Sequence, residues 1–432
     1  MKFVRWKQPA EGRYVMIKIA VMSDLHIGLA ARAKDLCPEP PTTARKERNR
    51  YNSKTENNYR QNFIQFVKRE NIRSDYLVLP GDLTNKATPR EVRLASEFII
   101  QAAEALNVPH NKIIFAPGNH DVDWTVFDPN DDTGVKWEQR YSHIGHNNFH
   151  FRTLVNQGEG DIFSSPHFIS WCFDDLLAVA YNSASHDTPI PEDVAHHGLA
   201  DPIHLDAIRH FLDNIGPPDE RIRLFLVHHH LLDFCSPIPK TPDFSLMTNA
   251  ENLLAILHEY GFDLLIHGHK HHPRFETHST LTYPHLPILC SGSFSVEIDT
   301  QWAGTIDNQF HLVTVNGRSG PENRITGKVI SWTNNHCRGW IPSDEATSGI
   351  HHIIPFGYYL MPNELDARIE PFIRQWLIEH DHILWKHIVE EFPELEHLPL
   401  NSAIVAFKRI GQHLGLQSMY ETRKDLILYM EI

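Results

Sequence analysis

Six short apolar runs, most of them delivering a polar residue to the loop that follows, constrain this chain more than any other feature. Residues 14–22 end at Ser23-Asp24, 75–80 lead into Gly81-Asp82, and 112–116 lead into Gly118-Asn119. Residues 221–227 precede His228-His229-His230, and 262–266 precede His267-Gly268-His269; the sixth run covers 176–181. Continuous apolar runs of this length read as strands buried on both faces. Between them the apolar spacing turns helical. Tyr59, Phe63, Phe66 and Val67 share one face, as do Val92, Ala95, Phe98, Ile99 and Ala102 behind Pro89, which suits a first helical turn. Ile208, Phe211 and Leu212 within 202–214, and Leu253, Leu257 and Tyr260, repeat the pattern. Strands alternating with helices predict an α/β architecture, in which ligands bind where strands give way to loops.

Beyond residue 285 the helical signal fades. Pieces at 294–298, 310–315, 327–333 and 351–356 read as strands, separated by Gly, Asn, Ser and Pro, and predict a second sheet completing a sandwich. Periodicity then turns helical, through Ile373, Trp376 and Leu377, then Ile383, Trp385 and Ile388, then Ile404, Phe407 and Ile410. The expected division is therefore one domain over 1–360 and a helical unit over 361–432, which offers a dimer contact or a cover for the pocket. Two polar segments, 28–58 and 123–168, read as loop insertions facing the strand ends. His143, His146 and His150 in the second are spaced for one helical face, read as an exposed polar face rather than a third metal site.

Composition narrows the class. The chain of 432 residues is 41% hydrophobic and 22% charged, which is ordinary for a globular protein. It has no apolar run long enough to span a membrane, and Met1–Lys7 lack the apolar stretch of a secretory signal, so a soluble cytoplasmic protein is expected. Five scattered cysteines (Cys37, Cys172, Cys235, Cys290, Cys337) fit reduced thiols better than a disulfide framework. A net charge of −14 repels polyanions at long range and disfavours nucleic acid as a partner. The 31 histidines, several of them clustered, call for a chemical role.

The clusters are Asp24-Leu25-His26, Gly81-Asp82, Gly118-Asn119-His120-Asp121, His228-His229-His230 and Gly268-His269-Lys270-His271. Any one is a weak signal, since a lone Asp at a strand end usually caps or turns the chain. Five in order, each at the end of a strand candidate, are specific. Together they resemble the calcineurin-like metallophosphoesterase superfamily, whose pattern is DxH, GD, GNH(D/E), H and GHxH, over about residues 16–300. The resemblance implies a four-layer α/β/β/α sandwich and a binuclear metal centre. It implies that Asp24, His26 and His271 hold one ion, that Asn119, His229 and His269 hold the other, and that Asp82 bridges them. Within the histidine triplet His229 is preferred, because Leu231 stands where the family's HHP pattern has proline. His120 then resembles the family's histidine near the leaving-group oxygen, with Asp121 as its orienting partner. His228, His230, His267 and His272 are expected to pack beside the ligands. Carboxylate, amide and imidazole donors suit manganese, iron or zinc, and a pair of such ions about 3.5–4 Å apart clamps a phosphoryl group and acidifies a bound water.

Substrate class follows from the finer motif. Protein phosphatases of this superfamily carry GDxxDRG and GNHE, whereas this chain reads Gly81-Asp82-Leu83-Thr84-Asn85 and ends its third block in Asp121. That style, with Gly198-Leu199 before the 202–214 helix, is similar to class III cyclic-nucleotide phosphodiesterases. A small phosphodiester or nucleotide is the expected substrate. Two alternatives stand beside it. One is a nuclease of the SbcD-like branch, using Arg45, Lys46, Arg48 and Arg50 to track phosphates; the other is a regulatory module that keeps the fold without turnover.

Overall fold

The computed structural model describes residues 16–38, 44–123, 126, 140–141, 168–187, 197–233, 246–280, 285–297, 306–319, 324–335, 337–421 and 425–429. Met1–Lys7, Cys235, His143, His146, His150 and most of the 123–168 segment lie outside them.

In chain order the first half runs β1 (Met16–Val21), α1 (Arg45–Ser53), α2 (Tyr59–Arg69), β2 (Tyr76–Leu79), α3 (Pro89–Leu106) and β3 (Ile113–Phe115). It continues through β4 (Phe168–Cys172), β5 (Leu176–Tyr181), α4 (Pro202–Ile215), β6 (Ile222–Leu226), α5 (Ala250–Glu259), β7 (Leu264–His267), β8 (Arg274–His278) and β9 (Leu286–Cys290). Then come β10 (Gln309–Ser319), β11 (Arg324–Asn335), β12 (Gly339–Pro342) and β13 (Ile353–Phe356). The C-terminal elements are α6 (Pro362–Trp376), β14 (His382–Leu384), α7 (Trp385–Glu391), α8 (Leu400–Leu414), β15 (Gln417–Glu421) and β16 (Asp425–Tyr429).

Two large sheets carry the site. The first has the order β12-β11-β10-β1-β2-β3, with β13 also on β11. Strands β1, β2 and β3 are parallel, while β10 runs antiparallel on the other side of β1, from Met16 opposite Asn316 to Val21 opposite His311. The second has the order β4-β5-β6-β7-β9-β8, parallel from β5 through β9. This corrects one expectation: β10–β13 do not make the second sheet but widen the first, and the second is built from 168–290. Of the 294–298 piece, the described residues 294–297 form no strand; Val296 makes an isolated bridge to Ala31. The 28–58 segment is not all loop, since α1 occupies part of it.

Side-chain alternation decides the layers. In the second sheet Ala178, Ala180, Leu224, Leu226, Leu264 and Ile266 join one core with the first sheet, α2 and α3. Their neighbours Val179, Tyr181, Phe225, Val227 and Leu265 join the other core, under Leu205, Ile208 and Leu212 of α4 and Leu253 and Leu257 of α5. The result is the expected α/β/β/α stack. Phe63 anchors the first core, meeting Phe294 at 4.8 Å and Phe310 at 5.0 Å edge-on, geometries that add to area burial. Helix α3 starts where Thr88-Pro89-Arg90-Glu91 dictates: the Thr88 side chain accepts from the Glu91 amide, and the Glu91 carboxylate from the Thr88 amide. A separate apolar cluster of Leu365, Ile369, Ile373, Ile383, Ile388, Phe407, Ile410 and Leu428 holds the C-terminal elements, where helices are joined by the three-stranded sheet β14-β16-β15. No described helix is long and apolar enough to cross a membrane.

His311 of β10 gives this core a pH dependence. It is buried against Ser331 Oγ (2.8 Å), and burial pushes its imidazole down from 6.5 to about 3. The unfolded chain therefore takes up a proton near pH 6.5 that the fold refuses until about pH 3, so stability falls as pH drops through that window. At pH 5 the loss is about 2 kcal/mol. His311→Gln is expected to flatten the urea-unfolding free energy between pH 7.5 and 5 by about that amount; an unchanged pH slope would show that His311 does not titrate with folding.

Candidate metal centre

The strand ends are zipped together by their backbones. Beyond β1 the chain keeps pairing with the loop after β2: Asp24 N donates to Gly81 O (3.1 Å), His26 N to Asp82 O (2.9 Å) and Ile27 N to Leu83 O (3.1 Å). The second sheet joins at the same place, since Gly268 N donates to His228 O (3.1 Å) and His269 N reaches both carboxylate oxygens of Asp24 at 3.2 Å. A side chain at residue 268 would not fit there, because its Cβ would lie 2.5 Å from Asp24 Oδ2. Asp24, His26, Asp82, His269 and His271 all sit at positive φ, between 47° and 79°. Left-handed backbone is uncommon outside glycine, and five such residues in one place mark strain held for a purpose.

Around Asp82 these side chains form two groups. His26 Nε2 lies 3.3 Å from Asp82 Oδ2 and 3.9 Å from Asp24 Oδ1. His271 Nε2 lies 3.2 Å from both His26 Nε2 and Asp24 Oδ1. On the other side His228 Nε2 is 3.3 Å from Asp82 Oδ2 and 3.0 Å from Asn119 Oδ1, and His269 Nδ1 is 3.1 Å from Asn119 Oδ1 and from His228 Nε2. One carboxylate oxygen of Asp82 thus faces both groups. Asp24, His26, Asp82, Asn119 and His228 are buried, while His120, His269 and His271 are half-buried and line the open side.

The expected set is brought together with one exchange. His229 was expected beside Asp82, and the structure places His228 there instead. Alternation along β6 explains it: His228 keeps the parity of Leu224 and Leu226 and emerges between the sheets, whereas His229 keeps that of Phe225 and Val227. His229 Nδ1 meets Ser183 Oγ at 2.8 Å, and its ring stacks obliquely 4.4 Å from that of His269. The parity of the apolar run was the signal that pointed to His228.

His120 Nδ1 lies 3.0 Å from Asn85 O, so it donates its N–H there, and its ring meets His26 edge-on at 4.7 Å. The expected orienting partner, Asp121, is committed elsewhere. Its Oδ2 accepts from Gly118 N (2.9 Å) and its Oδ1 from Thr84 N (2.9 Å) and Thr84 Oγ1 (3.1 Å), which ties the loops after β2 and β3 together. Burial, then the neighbouring Asp82 carboxylate, push Asp121 up to about 6.

Electrostatics fit a cation pair. Burial alone would raise Asp82, but His228 and then His120 outweigh it and hold the carboxyl well below its usual range. Burial opposes ionisation of Asp24 too, and His271 outweighs it. Against its own burial, His228 is lifted to about 9 by Asp82. Two buried carboxylates held ionised among imidazoles are a costly arrangement that bound cations answer. The donor chemistry agrees: oxygen and imidazole nitrogen converge, and no sulfur takes part in either group.

The family model described as calcineurin-like phosphoesterase matches residues 17–273. No curated protein matches the chain. Among solved structures, a purple acid phosphatase from yellow lupin (Lupinus luteus) seeds is similar at 13% identity and TM-score 0.42, over 75% of this chain and 52% of that one. A phosphopantetheinyl hydrolase from Mycobacterium tuberculosis is similar at 16% identity and TM-score 0.33, over 66% and 98%. A putative 5'-nucleotidase from Staphylococcus aureus is similar at 13% identity and TM-score 0.36, over 72% and 53%. The chain thus spans about half the length of the lupin phosphatase.

Proposed function

Because the chain belongs to the calcineurin-like phosphoesterase family, we propose that it is a phosphodiesterase that cleaves a nucleotide or another small phosphodiester at this site. The observation that carries the reading is Asp82 Oδ2, 3.3 Å from both His26 Nε2 and His228 Nε2. In this reading Asp24, His26 and His271 would hold one metal ion, Asn119, His228 and His269 the second, and Asp82 would reach both. Bound manganese, iron or zinc would supply charge to the phosphoryl oxygens and acidity to the attacking water.

The chain's own residues do the rest. His120 Nδ1 donates its N–H to Asn85 O, which leaves Nε2 as the ring atom that can exchange a proton with the departing oxygen. The amide of His120 donates to Asp82 Oδ1 at 2.8 Å, which fixes that ring relative to the metal ligands. Asp121 holds the two loops in register. What supports a diester is the style of Gly81-Asp82-Leu83-Thr84 and Gly118-Asn119-His120-Asp121, which is similar to that of class III cyclic-nucleotide phosphodiesterases.

The test is the manganese-loaded protein on bis-p-nitrophenyl phosphate and p-nitrophenyl phosphate, then cyclic nucleotides, then single-stranded and duplex DNA. The diester is expected to turn over faster than the monoester. A monoester preference would overturn the phosphodiesterase assignment. Inactivity on every ester with metal bound would favour a regulatory module. The four basic residues of the nuclease alternative do lie on the exposed helix α1, with Arg50 paired to Glu297 at 3.1 Å, so cleavage of DNA with steep salt dependence would favour that reading.

A further inference from the structure

Behind the second sheet, on the side of α4 and α5, His230, His267 and Cys290 converge. Strands β7 and β9 are parallel neighbours, and His267 stands directly opposite Cys290 in their register. Cys290 continues the alternation of Leu286 and Ile288, and His267 that of Leu265, all three leucine and isoleucine side chains belonging to the outer core. His230 reaches the same spot from the loop after β6. All three residues are buried, and their ligand-type atoms lie within 4.8 Å of one another. Cys290 Sγ is 3.8 Å from His230 Nε2, and the two imidazole rings are 4.4 Å apart at 65°. A small cavity adjoins them, lined by Leu232, His267, Arg274, Glu276, Ile288 and Cys290.

Apolar side chains would fill this position at less cost than two imidazoles and a thiol. We propose that His230, His267 and Cys290 bind a third metal ion, zinc by the chemistry of the donors, separate from the pair at Asp82. One thiolate and two imidazoles suit tetrahedral zinc, with a water from the adjoining cavity as fourth ligand. Bonds of about 2.3 Å to sulfur and 2.0–2.1 Å to nitrogen place tetrahedral ligand atoms roughly 3.3–3.6 Å apart, and Cys290 Sγ and His230 Nε2, at 3.8 Å, already stand near that separation. The Cys290 thiol, which donates to His272 O at 3.1 Å, releases its proton to solvent as the Sγ–metal bond forms. His230 lies two residues beyond His228, and His267 two before His269, so the ion pins both loops of the catalytic centre from behind.

Cobalt(II) tests this on the full chain, because a thiolate ligand gives a sulfur-to-cobalt charge-transfer band in the near ultraviolet and none of the donors around Asp82 is sulfur. The wild type is expected to develop the band and to hold three ions per chain. Cys290→Ser is expected to lose the band and one ion; Asp82→Ala is expected to keep the band while losing ions from the other site. His267→Gln, a second route to the same loss, should weaken the band should the serine variant fold poorly. A wild type saturated with cobalt but without the band, or a band that survives Cys290→Ser, overturns the third site. Either result leaves the phosphodiesterase reading to the ester panel.

Discussion

Asp82→Ala is expected to lower diester turnover by about 10³-fold or more, equivalent to about 4 kcal/mol of barrier, and to leave the purified protein depleted of both ions at Asp82. The size follows from position. Losing a group that merely orients a metal ligand costs about 10–100-fold in affinity, whereas Asp82 Oδ2 faces His26 on one side and His228 on the other at 3.3 Å each. Its second oxygen accepts from the His120 amide, so the same change also frees the loop that carries Asn119 and His120. Removing the carboxylate leaves His228 without the charge that lifts its pKa. Metal analysis by mass spectrometry and kcat on bis-p-nitrophenyl phosphate, measured on protein whose circular dichroism matches wild type, separate this from unfolding. An alanine variant that keeps two ions and near-normal kcat would dismiss Asp82 as the shared ligand.

How far the sequence reveals this site depends on which physical rule places each residue. Strands buried on both faces announce themselves as apolar runs, so β1, β2, β3, β5, β6 and β7 and the polar residues at their ends are legible. Asp24, His26, Asp82, Asn119, His269 and His271 come together as their motifs imply because the loops after those strands pair side by side. Within a run of three histidines, aligning Leu231 with the proline of the HHP pattern points to His229, whereas the two-residue alternation of β6 turns His228 toward Asp82. The orientation of His120 was hidden for another reason: its partner is the main-chain carbonyl of Asn85, and a backbone atom leaves no mark on residue type. Sheet membership was hidden too. Strand β10 alternates as any strand would, and nothing local says that it pairs with β1, some 290 positions earlier in the chain, rather than with β9. The short strands β14, β15 and β16 were masked by the helical periodicity around them.

His120→Ala separates chemistry from metal binding, and its expected signature depends on the leaving group. The ring's Nδ1 is occupied by Asn85 O, which leaves Nε2 as the atom that can hand a proton to the departing oxygen. Proton transfer of this kind contributes about 10²–10⁴-fold when the leaving group is a poor one. With a cyclic nucleotide or another alkyl ester, kcat is expected to fall by about 10³-fold with little change in KM, because the interaction is made only in the transition state. With bis-p-nitrophenyl phosphate the departing phenolate is stable without a proton, so the loss should stay within about tenfold. Metal content should equal that of wild type, since the His120 side chain touches the edge of His26 and lies in neither of the two donor groups around Asp82. Equal losses on both substrates would mean that His120 positions or screens the phosphate without protonating the leaving oxygen, and a variant that comes out empty of metal would place His120 among the ligands.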